Sequence, residues 1–484
     1  MRPGPFIPLK TAWIILFLSL TGFGIPVQGQ PVSQSVPDSQ EIIIDSVVLS
    51  GNKVTRDHII YRELMVRQGD TLDATGIDSL LIHSRENLMN TFLFNFVDIS
   101  REASGSDSSR QVIRISVTER WYIWPIPILK ISDRNFNVWW ETKDFSRLSY
   151  GFYIDWQNFR GRKEDLLMRF QFGYDQLYDF HYTKPYINQK KTLGIGLGAG
   201  YWSRKETASM TMYNKQEFFR DPAEFARQDI FAFGQLHLRP NIYNSHLFEL
   251  RYDHHEFSDS LLYQNENYSV DGANVVQYLT LHYLLKLDHR DYKTYPLEGY
   301  YADFELIKQG LWTFKENTLD NFYIQATFRK FWELGHRVYF ATGINGKATF
   351  GQTQPYFAIR GIGYDRDIVR SYEYYVVDAQ HFGILKSNIK FALVPQTTYE
   401  FHTIRNKKFG KIFYALYLNV FFDAGYGVYT QDFGSETNDL QNVPLLGYGT
   451  GIDFVTYYDI VIRCEFSMNF LNEAGIFLHF RAPI

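Results

Sequence analysis

From Trp121 onward the chain alternates apolar and polar residues with a period of two, in runs longer than those of most globular strands. One such run places Leu166, Met168, Phe170, Phe172 and Tyr174 on one face and Leu167, Arg169, Gln171, Gly173 and Asp175 on the other. Several runs reach the roughly 9–11 residues that a tilted transmembrane strand needs, whereas globular strands average about 5–6. Beyond residue 30 there is no stretch of about 18 apolar residues, so a membrane crossing would require a closed β-barrel.

The same alternation recurs to the end of the chain. Further apolar series are Leu193, Ile195, Leu197, Ala199 and Tyr201; Tyr414, Leu416, Leu418, Val420 and Phe422; and Ile460, Ile462, Cys464, Phe466, Met468 and Phe470. A soluble sandwich would alternate in the same way. The membrane barrel is favoured by run length and by aromatic residues near the run ends, as an interfacial girdle requires. Those residues are Trp121, Tyr122, Trp124, Trp139, Trp140, Tyr457 and Tyr458.

The number of strands can be estimated by counting back from the C-terminus. Five candidate strands follow the segment around residues 356–383, at about 385–394, 411–425, 445–457, 459–471 and 474–481. At roughly 21 residues per strand and connection, the preceding region holds about eleven more. We therefore expect an antiparallel transmembrane β-barrel of about sixteen strands over residues 120–484, with an extracellular loop before the twelfth strand.

The first residues have the pattern of a secretory signal peptide, which we place at residues 1–29. Arg2 and Lys10 precede an apolar stretch from Thr11 to Phe23, and small residues precede an expected cleavage at Gln30. The alternative is an uncleaved anchor formed by the same apolar stretch. The formal net charge of −4 gives no reason to expect nucleic acid as a partner, and the single Cys464 cannot form an internal disulfide.

After a polar linker at residues 30–40, residues 41–119 have the pattern of a small α/β domain in the order strand, helix, helix, strand, strand. Thr55 is the expected N-cap of a first helix that buries Ile60 and Leu64. A second helix places Ile77, Leu81 and Leu88 on one face, and alternating strands begin near Phe94 and Ile113.

This region resembles a POTRA domain along its full length. The matching segments, in order, are SVVLSGNKVTRDHIIYREL, GDTLD, LFNFVDIS and IRISVTER. The resemblance implies a periplasmic domain whose open sheet edge can accept an extended client chain. A generic small α/β domain is the alternative interpretation.

Two segments of the barrel region resemble motifs of the BamA/TamA-like assembly-factor superfamily. Residues 287–306 resemble its D-x-R-D and P-x-x-G hairpin, with Asp288, Arg290, Asp291, Pro296 and Gly299 in the matching positions. An ordinary hairpin is compatible with this segment as well.

Residues 363–388 resemble the superfamily's sixth extracellular loop. Its V-R-G-Y signature here is Val369-Arg370-Ser371-Tyr372, with serine in place of glycine. Ala379 is a second departure from the superfamily's pattern, at a position where relatives often have glycine. The resemblance implies that Arg370 folds into the lumen and pairs with the wall, where Asp423 is the candidate partner. The alternative is that Arg370 is a solvated arginine of the loop. In an alternative register, Ile359-Arg360-Gly361 would be the segment that matches the signature.

The C-terminus resembles the β-signal of outer-membrane barrels, with Gly475, Leu478 and Phe480 in the matching positions. Closing a barrel requires the first and last strands to pair. The resemblance implies a seam at this point that can open and template client strands.

Together these features predict a factor for protein assembly, insertion or translocation in the outer membrane of a Gram-negative bacterium, with its POTRA-like domain in the periplasm. The implied partners are outer-membrane lipids and unfolded outer-membrane or secreted clients, with periplasmic chaperones or accessory lipoproteins as further candidates. The segments VTERWYIWPIP and VRSYEYYVVDAQHFG resemble versions from Bacteroidetes-type bacteria. The alternative function is a passive transport channel or structural barrel that keeps the fold without insertase activity.

An enzyme is not expected, and neither a metal nor a cofactor is implied. Asp253, His254, His255, Asp288 and His289 could form an Asp-His hydrolase at a barrel rim. No nucleophile elbow, metal-ligand spacing or phosphate loop accompanies them.

Overall fold

The computed structural model describes residues 41–105, 107–131, 145–221, 224–313, 319–351, 354–401, 404, 408–430 and 437–480. The expected signal peptide and linker lie outside these residues, as do Trp139 and Trp140. Within the described ranges, no helix is both long enough and apolar enough to cross a membrane.

A small α/β domain forms the N-terminal part of the described chain. Its elements are β1 (Glu41–Ser50), α1 (Asp57–Glu63), β2 (Thr71–Asp73), α2 (Ile77–Met89), β3 (Phe94–Ser104) and β4 (Asp107–Glu119). The sheet has the order β2-β1-β4-β3, in which β1 and β4 are parallel and the other pairs antiparallel. Ile60, Ile77, Leu88, Phe94 and Ile113 are fully buried between the helices and the sheet.

The expectation that Thr55 caps α1 is wrong. The helix begins at Asp57, with Arg56 in the N-cap position and no side-chain capping bond. The Thr55 hydroxyl instead shares a hydrogen bond with the Tyr122 hydroxyl at 3.1 Å, and its backbone N–H donates to the Glu119 carboxylate at 2.6 Å. Thr55 therefore joins the helix entrance to the end of β4. Its hydroxyl oxygen, which a local cap would use to accept a helix N–H, instead accepts from Asn158 Nδ2 at 2.9 Å.

Sixteen antiparallel strands form a second sheet, which confirms the predicted fold class and strand number. They are β5 (Ile123–Ile131), β6 (Leu148–Phe159), β7 (Glu164–Gly173), β8 (Gln176–Lys184), β9 (Leu193–Arg204), β12 (Arg227–Leu238), β13 (Asn244–Phe257), β14 (Val275–Asp288), β15 (Gly299–Thr313), β16 (Asn321–Gly335), β17 (Val338–Gly351), β18 (His381–Glu400), β19 (Lys411–Val428), β20 (Pro444–Thr456), β21 (Ile460–Asn469) and β22 (Ala474–His479). Each described strand pairs with the next along the chain, except that β9 pairs with β12. Between those two lies a separate hairpin of β10 (Glu206–Met212) and β11 (Lys215–Arg220), and α3 (Asp259–Gln264) follows β13.

The predicted two faces of the strands are present. On β19 the side chains of Leu418, Val420 and Phe422 point outward and are exposed, whereas Asn419 and Asp423 point inward and are buried. An exposed apolar outer face with a polar interior is the arrangement of a transmembrane barrel rather than of a water-soluble sandwich.

The strand order defines two ends of the barrel. We call proximal the end that carries the small domain, since only three residues lie between β4 and β5, and distal the opposite end. The connection between β17 and β18 precedes the twelfth strand and lies at the distal end, and we call its described part, residues 354–380, loop 6. Tyr122 does not belong to an aromatic girdle, because it is buried in the core of the small domain.

The small domain is hydrogen-bonded to six of the seven proximal turns. Its bonds to the turns after β6, β8, β12, β14, β18 and β20 come from Arg56, His58, Glu63, Asn90, Asn95 and Arg120, the last being the residue that follows β4. No such bond reaches the turn after β16 within the part of the chain that the structure describes. The domain is thus held across the proximal mouth of the barrel.

Candidate functional site

Loop 6 folds back into the barrel and packs against the inner faces of β18 to β20. Val369 and Tyr372 are buried in a cluster with Ile362, Ile384 and Leu445. This packing brings the backbone of the V-R-S-Y segment to the lumen wall, so that the intervening arginine points into the interior.

Arg370 is buried in the lumen, with 2% of its surface exposed, and it contacts Asp423, which is fully buried. Its Nε and Nη2 atoms donate to the two carboxylate oxygens of Asp423 at 2.8 and 2.6 Å, so the pair is bidentate. Its Nη1 atom lies 3.4 Å from Glu465 Oε1, and the guanidinium lies 3.8 Å from the centre of the Phe421 ring. We call the Arg370–Asp423 pair the lumen latch. Arg360, of the alternative register, is exposed and donates to backbone carbonyls of its own loop.

Ser371 adopts a backbone conformation that normally belongs to glycine. Its φ is +78°, and its hydroxyl is buried without a hydrogen-bond partner in the described chain. Asn469 holds the Ser371 carbonyl through a hydrogen bond of 3.1 Å. The serine therefore carries backbone strain that the surrounding contacts maintain.

We expect Ser371→Gly to stabilise the folded barrel by about 1 kcal/mol, because glycine adopts a positive φ without steric cost. The measurement is the urea midpoint of unfolding in detergent micelles. Ser371→Ala is the matched control, since it removes the orphaned hydroxyl but keeps the Cβ atom, and it should gain less. A glycine variant less stable than the alanine variant would contradict this account.

Three inward-facing glycines make room for loop 6, and the sequence analysis did not single them out. A Cβ atom at Gly447 would lie 1.9 Å from the Arg370 carbonyl oxygen, and one at Gly425 would lie 2.5 Å from the Val369 side chain. At Gly427 it would lie 3.2 Å from the Cβ of Ala379. Their spacing in the sequence could have identified them, because the alternation of β19 and β20 places all three glycines on the inner face, as it does Asp423.

The D-x-R-D motif shapes the proximal turn between β14 and β15. Asp288 forms a bidentate ion pair with Arg290 at 2.7 and 2.8 Å, and Asp291 accepts the backbone N–H of Leu297 at 3.1 Å. Gly299 has a φ of +94°, and any Cβ atom there would collide with the His289 carbonyl. The motif therefore closes a specific turn of ten residues.

This turn inserts into the lumen from the proximal end. Tyr295 is buried at its tip and donates to Asp453 Oδ2 at 2.6 Å, while Pro296 offers its carbonyl to the buried Lys390 at 3.5 Å. The Lys390 ammonium also lies 4.1 Å from the centre of the Tyr295 ring. Loop 6 and the β14–β15 turn thus enter from opposite ends and contact the same wall, formed by β18 to β21.

The two terminal strands of the large sheet, β5 and β22, form no ladder with each other among the described residues. The six-residue β22 pairs with only part of β21, from Arg463 to Met468. Gly475 lies in this ladder, and the β-signal side chains Leu478 and Phe480 are exposed on the outer face. At the proximal end, Trp121, which precedes β5, donates its backbone N–H to the hydroxyl of Tyr458 in the turn between β20 and β21 at 3.1 Å.

Comparison with solved structures identifies the architecture. CdiB from Escherichia coli aligns with 90% of this chain and with 75% of its own chain, at 10% identity and a TM-score of 0.51. The chain has the fold of CdiB. The fold that the superfamily resemblance implied is therefore confirmed.

Two further solved structures are similar at lower scores. BamA from Haemophilus ducreyi lacking POTRA domains 1–3 covers 91% of this chain and 83% of its own, at 15% identity and a TM-score of 0.47. CdiB from Acinetobacter baumannii covers 92% and 74%, at 11% identity and a TM-score of 0.46. No family model matches the chain, and no curated protein matches it.

Within this CdiB-like barrel the residues considered for a hydrolase do not come together. Asp253, His254 and His255 lie near the distal end of β13, whereas Asp288 and His289 lie at the proximal end of the next strand. His255 contacts Asp229 at 2.6 Å and the Tyr278 hydroxyl at 2.9 Å, and Asp229 is already paired with Arg227. These bonds satisfy a buried histidine inside the wall.

Proposed function

We propose that this protein is a factor for protein insertion or translocation in the outer membrane of a Gram-negative bacterium. The barrel spans the membrane among lipids, and the small domain lies in the periplasm and receives unfolded outer-membrane or secreted clients. Periplasmic chaperones or accessory lipoproteins that deliver clients would contact the same domain. We propose no catalytic role, cofactor or metal.

The observation that carries this proposal is the seam between β5 and β22. Every other neighbouring pair of described barrel strands shares a hydrogen-bonded ladder, whereas β5 and β22 share none among the described residues. A free strand edge is a template for another extended chain, and natural proteins normally protect such edges. A barrel that leaves its edges unpaired at one place is suited to receive a strand there.

The lumen latch has a supporting part in this proposal. Loop 6 is held to the wall by a buried charge pair, and the β14–β15 turn occupies the lumen from the other end. We propose that these inserts close the lumen at rest and give the wall next to the seam a defined shape.

Reconstitution tests the proposed function. The full chain is placed in liposomes, an unfolded outer-membrane barrel client is added in urea, and client folding is followed by its resistance to protease and by its mobility shift on unheated gels. We expect folded client to appear several times faster than in liposomes that hold a fully closed barrel of similar size.

Two other results would contradict the proposal and favour a different function. Solute efflux from the liposomes with no acceleration of client folding would favour the passive channel. Passage of a secreted client into the lumen of the liposomes, without insertion of a barrel, would restrict the function to translocation.

A further inference from the structure

The outer face of β16 is apolar except for one cation near its proximal end. The apolar members of this face are Phe322, Ile324, Ala326, Phe328, Trp332 and Leu334. Lys330 lies between Phe328 and Trp332, both of which are exposed. A transmembrane barrel turns its outer face to lipid, so Lys330 points toward the membrane.

The neighbours of Lys330 on this face carry no negative charge. Tyr300 lies opposite it on β15, and Thr342 lies opposite it on β17. Its ammonium group is 5.7 Å from the centre of the Tyr300 ring and 5.8 Å from that of the Trp332 ring, distances at which a cation is attracted to an aromatic ring. The side chain forms no hydrogen bond or ion pair with any described residue. Its charge is therefore flanked by aromatic rings and lacks a carboxylate partner in the described chain.

The rings beside Lys330 belong to an aromatic belt that crosses the outer face at this level. His289 stacks on Tyr300 at 4.6 Å between ring centres, and Trp332 stacks on Phe340 of β17 at 5.4 Å. Aromatic side chains of a transmembrane barrel collect where the hydrocarbon meets the headgroups. Lys330 therefore lies at the depth of the headgroups in the leaflet at the proximal end.

The turn next to Lys330 carries further positive charge. β16 and β17 are joined by His336 and Arg337, both of which are exposed. This is the proximal turn to which the small domain forms no hydrogen bond within the described residues, and the Arg337 side chain has no hydrogen bond or ion pair there either. A headgroup beside Lys330 could therefore also contact Arg337 without displacing a bond of the small domain.

The one carboxylate of β16 is directed to the opposite face. Glu333 lies opposite Tyr339 in the ladder, and the Tyr339 ring packs against Tyr417 in the interior. Its carboxyl group lies against that of Glu298, in the β14–β15 turn. Glu333 thus belongs to the mouth of the barrel and leaves the charge of Lys330 for another anion.

We propose that Lys330, together with Tyr300, Trp332 and Arg337, binds the phosphate group of an anionic phospholipid in the proximal leaflet. A lipid-facing cation is costly in hydrocarbon and least costly at the headgroups, where a phosphate can pair with it. An anionic headgroup is favoured over a zwitterionic one, because the ammonium group of the latter would be repelled by the two cations. The proposal rests on the transmembrane barrel and goes beyond the proposed function.

Native mass spectrometry of the full chain tests the site. The chain is released from neutral micelles that hold equal amounts of phosphatidylglycerol and phosphatidylcholine, with acyl chains of different mass. We expect phosphatidylglycerol to be retained about five-fold more often, since one cation beside an anionic headgroup contributes about that factor. Lys330→Met should remove most of this preference and Arg337→Met part of it, whereas Lys330→Arg should keep it.

Urea unfolding in the same micelles separates a lipid site from a structural role. A ligand that binds only the folded chain raises the unfolding midpoint, so phosphatidylglycerol should raise it more than phosphatidylcholine does. This difference should vanish in Lys330→Met. Without added lipid, that variant should be at least as stable as the wild type, because it removes a cation from the lipid-facing surface. Lys53→Met is the matched control on an exposed lysine of the small domain, and it should respond to lipid as the wild type does.

Four results would overturn the proposal. Equal retention of both lipids, or an unchanged preference in Lys330→Met, would show that Lys330 does not select the headgroup. The same rise of the midpoint with inorganic phosphate would identify a site for a free anion. A second copy of the chain retained in place of lipid would identify an interface between subunits. These outcomes do not depend on whether the barrel folds clients.

Discussion

Arg370→Glu is expected to cost about 3–5 kcal/mol of barrel stability and to release loop 6 from the lumen, because it replaces the latch cation with a third carboxylate beside Asp423 and Glu465. Asp423 would lose the guanidinium that contacts both of its oxygens while remaining fully buried. An unpaired buried charge is among the most destabilising changes a folded protein can carry.

Urea unfolding in micelles measures the loss of stability, and cleavage of loop 6 by an added protease measures its release. Arg366→Glu is the matched control, because Arg366 is an exposed residue of the same loop and the charge change is identical. Arg370→Asp combined with Asp423→Arg should recover part of the lost stability by restoring an ion pair in the reverse sense. A wild-type unfolding midpoint and a protected loop in Arg370→Glu would exclude the latch.

Arg239→Met is expected to weaken the docking of the small domain by a similar amount. Glu63 on α1 is 1% exposed, and Arg239, at the turn after β12, donates to both of its oxygens at 2.5 and 2.8 Å. Arg239 also donates to the Tyr186 hydroxyl at 2.8 Å. Removing the arginine leaves the carboxylate buried without its bidentate partner, which costs about 3–5 kcal/mol for a pair of this kind.

Hydrogen exchange of the amides in α1 and in the turn after β12 measures this effect, and we expect faster exchange in both. Glu63→Gln combined with Arg239→Met should exchange more slowly than Arg239→Met alone, since no buried charge remains. Arg101→Met is the control, because its pair with Asp78 is largely exposed and should contribute under about 1 kcal/mol. Unchanged exchange in Arg239→Met would mean that the other turns alone fix the domain.

The same pair makes docking sensitive to acid. Burial would raise the pKa of Glu63, but the charges of Arg239, Lys163 and Arg62 together with the Arg239 hydrogen bonds outweigh it and lower the pKa to about 2. A carboxyl whose pKa is lowered by folding stabilises the folded form above its ordinary pKa, near 4.3. We therefore expect the contribution of Glu63 to be intact at pH 5 and above, and to be lost as the pH falls from about 4 to 2.

The parts of this structure that follow from local sequence were predictable. The alternation around Asp423 assigns inward and outward residues because side chains of a strand alternate between its two faces. The same alternation identified the last five strands, and the length of the preceding region, at roughly 21 residues per strand and connection, predicted about eleven more. The pattern could not show that β5 and β22 share no ladder among the described residues, because pairing at the seam depends on how the sheet curves and closes rather than on any one strand.

Contacts between distant segments were the parts that the sequence did not reveal. Glu63 and Arg239 are separated by 176 positions, and no sequence pattern pairs them. Tyr295 reaches Asp453 only because the turn between β14 and β15 bends into the lumen, which the proline and glycine of its motif allow but do not specify. Thr55 was misassigned for a similar reason, since Glu119 and Tyr122 lie more than sixty residues away.

The bonds of the small domain to six proximal turns have a kinetic consequence. A domain on a long flexible tether would have to find the barrel anew for each delivered chain, with an effective concentration set by the reach of its tether. Here only three residues separate β4 from β5, and the attachment around the mouth fixes the distance from any peptide on the domain to the barrel wall. Transfer of a chain from the small domain to the barrel would then take place over a fixed distance. Its rate would depend on how quickly the bound chain dissociates from the domain.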